Sequence, residues 1–127
     1  MPFVPSLPDD AGVRHILALN PAAGRALIEF HSAVLRNDSQ LTAKDKELIA
    51  AFVSWLNACQ YCYGVHKETA KAYGVDESLI EALLADVETA PVDAKLKPIL
   101  AYAKILTLTP TKALQRHVDA ILAAGWA

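Results

Sequence analysis

The chain has little of most things that would mark a special class. Two cysteines among 127 residues exclude a disulfide-framed secreted scaffold. Neither sign of charge dominates: twelve Lys and Arg stand against fourteen Asp and Glu, a net charge of −2. The basic residues are scattered, so there is no electrostatic footprint for nucleic acid or an anionic membrane, and neither is expected as a partner. The longest apolar runs, "LIAAFVSWL" and "ILAYAKIL", are too short to cross a bilayer, and the second carries a lysine. The opening "MPFVPSLPDDAG" lacks the basic start, apolar centre and cleavage site of a signal peptide, which makes the cytoplasm the expected location. No stretch alternates as a strand would, and there is no repeat or low-complexity segment. What is left is an all-α chain whose length suits one domain, residues 1–127, with a core of its own.

Breakers and caps divide that chain into helices. The Pro-rich opening reads as an extended arm up to Pro8, followed by a short periodic piece with Val13, Ile16, Leu17 and Leu19. Asn20 and Pro21 supply an N-cap and a first-turn proline for a helix ending before "RNDSQ". Thr42 with Asp45 forms a variant capping box, so another helix starts near Ala43. Asn57 reads as ending that helix and as the N-cap of the next, which runs from Ala58 and stops at Gly74. Asp76 caps "ESLIEALLAD"; a further helix begins near Asp93, with Pro98 in its first turn, and Thr111 caps the last one, which ends at Gly125.

The two cysteines lie together in "NACQYCYGVH", with a histidine four residues after the second. On a helix Cys59, Cys62 and His66 fall along one stripe. Free amide groups and the positive end of the helix dipole at its N-terminus favour thiolate over thiol, and an imidazole adds a base or a positive charge. A C-x-x-C pair so placed can close and reopen a disulfide without a cofactor. Three readings are open: a redox pair, an inert pair of buried thiols, and a zinc site with His66 and one of His31, His117 or Glu47 in a non-catalytic helical scaffold. Zinc lacks a second ligand pair at metal spacing. Glu47, taken alone, reads as a solvated helix residue, although a helix returning antiparallel would bring it near His66 to orient the ring.

The pattern E-x11-C-x2-C-x3-H in "ELIAAFVSWLNACQYCYGVH" resembles the alkylhydroperoxidase D-like proteins of the carboxymuconolactone decarboxylase superfamily, with the likeness running from about residue 3 to 126. Its spacing N-x-C-x-Y-C-x-x-x-H is similar to the branch called peroxidase-related proteins. The resemblance implies an AhpD-like helical bundle acting as a thiol peroxidase on organic or hydrogen peroxides. It implies Cys62 as the peroxide-attacking thiolate, Cys59 as the resolving thiol, and His66 with Glu47 as a proton relay. No cofactor or metal is implied. The implied partners are the peroxide, an external dithiol reductant and further copies of the chain in a trimer-based homo-oligomer. Lactone-converting members of the superfamily lack the cysteine pair, and a disulfide reductase with little peroxidase activity would share the same residues. Relatives usually continue for several helices after the segment matching "AAG", so further C-terminal helices are expected of the whole protein.

Among the other candidates, His15, His31 and His117 read as surface or hydrogen-bonded histidines, and Gly64 as a close helix approach or a neutral interruption. Phe52, Trp55, Tyr61 and Tyr63 are candidates for lining a substrate pocket, with core or interface packing as the competing reading.

Overall fold

The computed structural model describes residues 2–127, and among them are seven α-helices, one short 3₁₀ helix and no strand. The all-α expectation is met. The chain falls into two compact units, Met1–Asn37 and Asp38–Ala127.

The first unit is a helical hairpin of α1, Val13–Leu19, and α2, Pro21–Arg36. The side chain of Asn20 accepts a hydrogen bond from the Ala23 N–H at 3.2 Å with Pro21 in the first turn, so α2 starts where its cap and proline place it. Gly24 is buried, and a Cβ there would run into the backbone of Leu17; the close α1–α2 approach requires glycine. The opening residues are not extended. They form successive turns, closed by Leu7 N–H to Val4 C=O and Ala11 N–H to Pro8 C=O, because Pro fixes φ but leaves its carbonyl free to close a turn. On α2, Leu27, Ile28, Phe30 and Val34 are exposed.

The second unit contains α3, Ala43–Leu56; α4, Gln60–Ala72; α5, Glu77–Ala85; α6, Lys97–Leu108; the 3₁₀ turn Pro110–Lys112; and α7, Gln115–Ala123. The Thr42 and Asp45 capping box is present. Helix α3 is the central element, packing on α4, α5 and α6. Leu48 and Phe52 of α3 join Ala70, Val75, Ile80, Leu83, Val87 and Leu100 in a continuous apolar core, and burial of such side chains drives the unit's folding.

Two helix starts differ from the sequence reading. Residues 93–96 make a separate turn, held by Asp93, before α6 begins at Lys97 with Pro98 in its first turn. After Thr109, the segment Pro110–Lys112 closes a 3₁₀ turn, so α7 starts at Gln115 and Thr111 caps nothing. In its place the Nδ1 of His117 accepts the Leu114 N–H at 2.9 Å, and His15 does the same for Gly12 at the start of α1. Two of the isolated histidines are thereby assigned to helix starts.

Helices α4 and α7 both end in Schellman motifs with glycine in the left-handed region, Gly74 at φ 94° and Gly125 at φ 98°. Beyond the second, the Trp126 indole N–H donates to the Lys95 carbonyl at 2.7 Å and the Lys95 ammonium lies 4.3 Å from its ring centre. The final residues are thereby fastened to the loop preceding α6.

Candidate active site

The site is built on the α3–α4 hairpin. Helix α3 ends at Asn57 in a third Schellman motif: the Ala58 N–H reaches the Trp55 carbonyl at 2.9 Å and the Cys59 N–H reaches the Ser54 carbonyl at 3.0 Å. The residue forced into the left-handed region is Ala58, at φ 54°, where such motifs usually place glycine. Asn57 is therefore the C-cap of α3 and not the N-cap of α4. That role belongs to Cys59, whose Sγ accepts the Cys62 N–H at 3.2 Å, so α4 begins at Gln60, two residues later than its composition suggests.

Cys59 and Cys62 are joined as a disulfide, with their Cα atoms 5.4 Å apart, at the positive end of the α4 dipole. Both are partly buried. From Cys62 the stripe continues through His66 to the fully buried Ala70, so the face carrying the second cysteine and the histidine turns inward.

Glu47 stands opposite, on α3. It shares a stripe with Ala51 and Ser54, and all three are buried; Glu47 is 1% exposed. This corrects its reading as a solvated residue, since the short three-residue turn folds α4 back over that stripe. The Glu47 Oε2 lies 2.7 Å from His66 Nδ1. A carboxylate can only accept, so against an ionised Glu47 the Nδ1 carries the proton and donates. That bond fixes the tautomer and leaves Nε2 as the basic nitrogen. Among the described residues no buried side-chain nitrogen or oxygen lacks a hydrogen-bond partner.

Beside the disulfide lies a cavity of about 240 Å³ lined by Trp55, Ala58, Cys59, Gln60 and Tyr63. The Trp55 and Tyr63 rings meet edge to face at 5.4 Å, and the Lys67 ammonium sits 5.9 Å from the Tyr63 ring centre. Of the four aromatic candidates, these two line the cavity; Phe52 is in the core and Tyr61 points into solvent. Nothing approaches the position of a Gly64 Cβ, so that glycine is a neutral interruption.

Among the described residues no group of three or more His, Cys, Asp or Glu side chains is arranged to hold a metal ion. Nor is any helix long and apolar enough to cross a membrane.

Residues 21–105, well over half of the chain, match the carboxymuconolactone decarboxylase family. The chain belongs to that family. Among solved structures, this family member is similar to an uncharacterized peroxidase-related protein from Ralstonia eutropha JMP134, described as an alkylhydroperoxidase AhpD core. The match has 21% identity and a TM-score of 0.80, and covers 88% of this chain and 59% of that one. It is also similar to an uncharacterized peroxidase-related protein from Silicibacter sp. TM1040, at 25% identity and a TM-score of 0.80, with the same 88% and 59% coverage. The fold is thus the AhpD-like helical fold, and the chain spans 59% of the length of each of these two structures. No curated protein matches the chain.

Proposed function

We propose that the protein is a thiol-dependent peroxidase that reduces organic or hydrogen peroxides through a Cys59–Cys62 disulfide cycle. The observation that carries the reading is the joining of a C-x-x-C disulfide at a helix start to a buried Glu47–His66 pair on the same hairpin. A redox pair alone needs only two thiols. A buried carboxylate oriented on an imidazole four residues from one of them supplies what peroxide chemistry adds, a base and then an acid.

In the reduced protein, His66 Nε2 takes the proton of Cys62, directly or through water, and Glu47 stabilises the imidazolium. The Cys62 thiolate attacks the outer oxygen of the peroxide, the O–O bond breaks, and the departing alkoxide or hydroxide takes the proton back from His66. Cys62 is left as a sulfenic acid. Cys59 attacks that sulfur as a thiolate, releasing water and closing the disulfide. An external dithiol then restores both thiols. This cycle needs no metal or cofactor and belongs in a reducing compartment, the cytoplasm. The family likeness supports a trimer-based homo-oligomer, and the exposed apolar side chains of α2 are a surface suited to association.

The test is rapid mixing of the fully reduced chain with hydrogen peroxide or cumene hydroperoxide. The expected result is loss of both thiols per peroxide consumed, with Cys59 and Cys62 linked in the product. Thiols that survive a large excess of either peroxide would overturn the proposal.

A further inference from the structure

We infer that the thiol that reopens the disulfide attacks Cys59 rather than Cys62, entering through the cavity beside it, and that Trp55 selects a reductant whose thiol is flanked by an uncharged apolar group. This rests on the redox reading above and extends it to the half-reaction that regenerates the thiols.

Three observations carry it. Cys59 lines the cavity and Cys62 does not. Thiol–disulfide exchange requires the incoming sulfur to approach one sulfur along the line of the S–S bond, from the side away from the other, so a space bordered by only one of the two cysteines directs attack to that one. The remaining walls, Trp55, Ala58, Gln60 and Tyr63, carry no formal charge and are dominated by two rings packed edge to face. Such a surface offers no positive charge to pair with a carboxylate, while it gives an apolar group a ring to cover. At about 240 Å³ the space admits one small group, a ring or short chain, and not a folded domain. Trp55 is half exposed, so its ring is available to a molecule arriving from solvent.

The direction of attack also suits the leaving group. An external thiolate, RS⁻, attacks Cys59 Sγ; an RS–S bond forms, the Cys59–Cys62 bond breaks, and Cys62 departs with the electron pair as a thiolate. Cys62 lies in the first turn of α4, four residues before His66, where the helix dipole and the ring accommodate that charge. The second thiol of a dithiol reductant then attacks its own linked sulfur and expels Cys59, whose sulfur is met by the Cys62 N–H. The reductant ends as a disulfide, oxidised by two electrons, and its two protons end on the two cysteines.

The experiment uses the oxidised 127-residue chain and two monothiols, benzyl mercaptan and reduced glutathione, at equal thiolate concentration. Mixed disulfides are quenched in acid, the released thiol is blocked with maleimide, and fragment-ion masses locate each group. The expected product carries the benzylthio group on Cys59 and maleimide on Cys62. Benzyl mercaptan is expected to react about fivefold faster than glutathione, an advantage that Trp55→Ala abolishes and Trp55→Phe largely restores. Tyr61→Ala, which removes an exposed ring outside the cavity, is expected to leave both rates unchanged. A benzylthio group on Cys62, or a benzyl preference that survives Trp55→Ala, overturns the inference. Either failure would leave the peroxide reaction of the reduced chain standing, and failure of that reaction would leave the mapped sulfur unaffected.

Discussion

Glu47 and His66, nineteen residues apart in sequence, meet at 2.7 Å across the α3–α4 hairpin, with the carboxylate almost wholly buried. A carboxylate so placed must be paired, because an unpartnered buried charge costs several kcal/mol. The pairing orients the ring along the stripe that leads to Cys62.

The first prediction follows from that pair. Glu47→Gln keeps an acceptor of similar shape for Nδ1–H but removes the negative charge that stabilises an imidazolium. Oxidation of the reduced chain by peroxide is expected to slow by ~10²-fold, and His66→Ala to slow it at least as much. Rapid-mixing kinetics on folded variants, with circular dichroism as the folding control, measure this. Unchanged rates would remove the pair from the chemistry.

The second prediction separates the cysteines. Both Cys59→Ser and Cys62→Ser are expected to abolish turnover, since neither can close the disulfide. Only Cys59→Ser is expected to retain a sulfenic acid, on Cys62, that dimedone traps and mass spectrometry locates. Trapping on Cys59 in the Cys62→Ser protein would reverse the assigned roles.

The third concerns Ala58, the only non-glycine residue with positive φ among the described residues. Left-handed backbone costs an alanine about 1–2 kcal/mol, while glycine adopts it freely but loses more entropy on folding. The balance favours glycine here. Ala58→Gly is expected to stabilise the chain by about 0.5–1 kcal/mol, raising Tm by a few degrees. Ala58→Val, β-branched at positive φ, is expected to lower it. Thermal unfolding of the three proteins decides, and a less stable Ala58→Gly would contradict the strain argument.

Ala58 also explains what could and could not be read from the sequence. Helices with ordinary punctuation were legible: Asn20–Pro21, the Thr42 and Asp45 box, Gly74 and Gly125 all act as their residue types suggest. The turn at Ala58 was legible only in part: Asn57 does end α3, but an alanine stands where glycine would have marked the left-handed residue, and a cysteine is the N-cap where Ser, Thr, Asp or Asn would have marked the start of α4. In the site, the spacing of Cys59, Cys62 and His66 was visible as one stripe. The burial of Glu47 was hidden by its charge. The signal that could have revealed it is its register: Glu47 falls in line with Ala51 and Ser54 on the face bordered by Leu48 and Phe52, where a carboxylate has no business unless a partner arrives from another helix. The cavity was legible only as a set of four aromatic candidates; that Trp55 and Tyr63 line it depends on how their rings meet across the turn.

A fourth prediction tests what holds α5 against α4. Glu77, the first residue of α5, pairs with both Lys67 and Lys71 of α4, the latter at 3.1 Å. Hydrogen bonds from Lys67 and then Lys71 hold the Glu77 carboxyl below its ordinary range, and the bond to Glu77 raises both lysines above theirs. The signs set a window. A lowered carboxyl pKa gives stability that is present above the unfolded-chain value and lost as pH falls through the folded one; raised lysine pKa values give stability present below the unfolded lysine value and lost as pH rises through the folded ones. The cluster therefore contributes across the range between roughly pH 4 and pH 10. Because Glu77 is exposed and both lysines are only partly buried, the contribution is small and salt-sensitive. Glu77→Gln is expected to lower Tm modestly at neutral pH and low salt, to lower it less at about 1 M salt, and to lower it progressively less as pH falls through the folded carboxyl's value. A Tm difference that persists undiminished at acid pH would mean that Glu77 acts through packing or as part of the α5 N-terminus, and not through its charge.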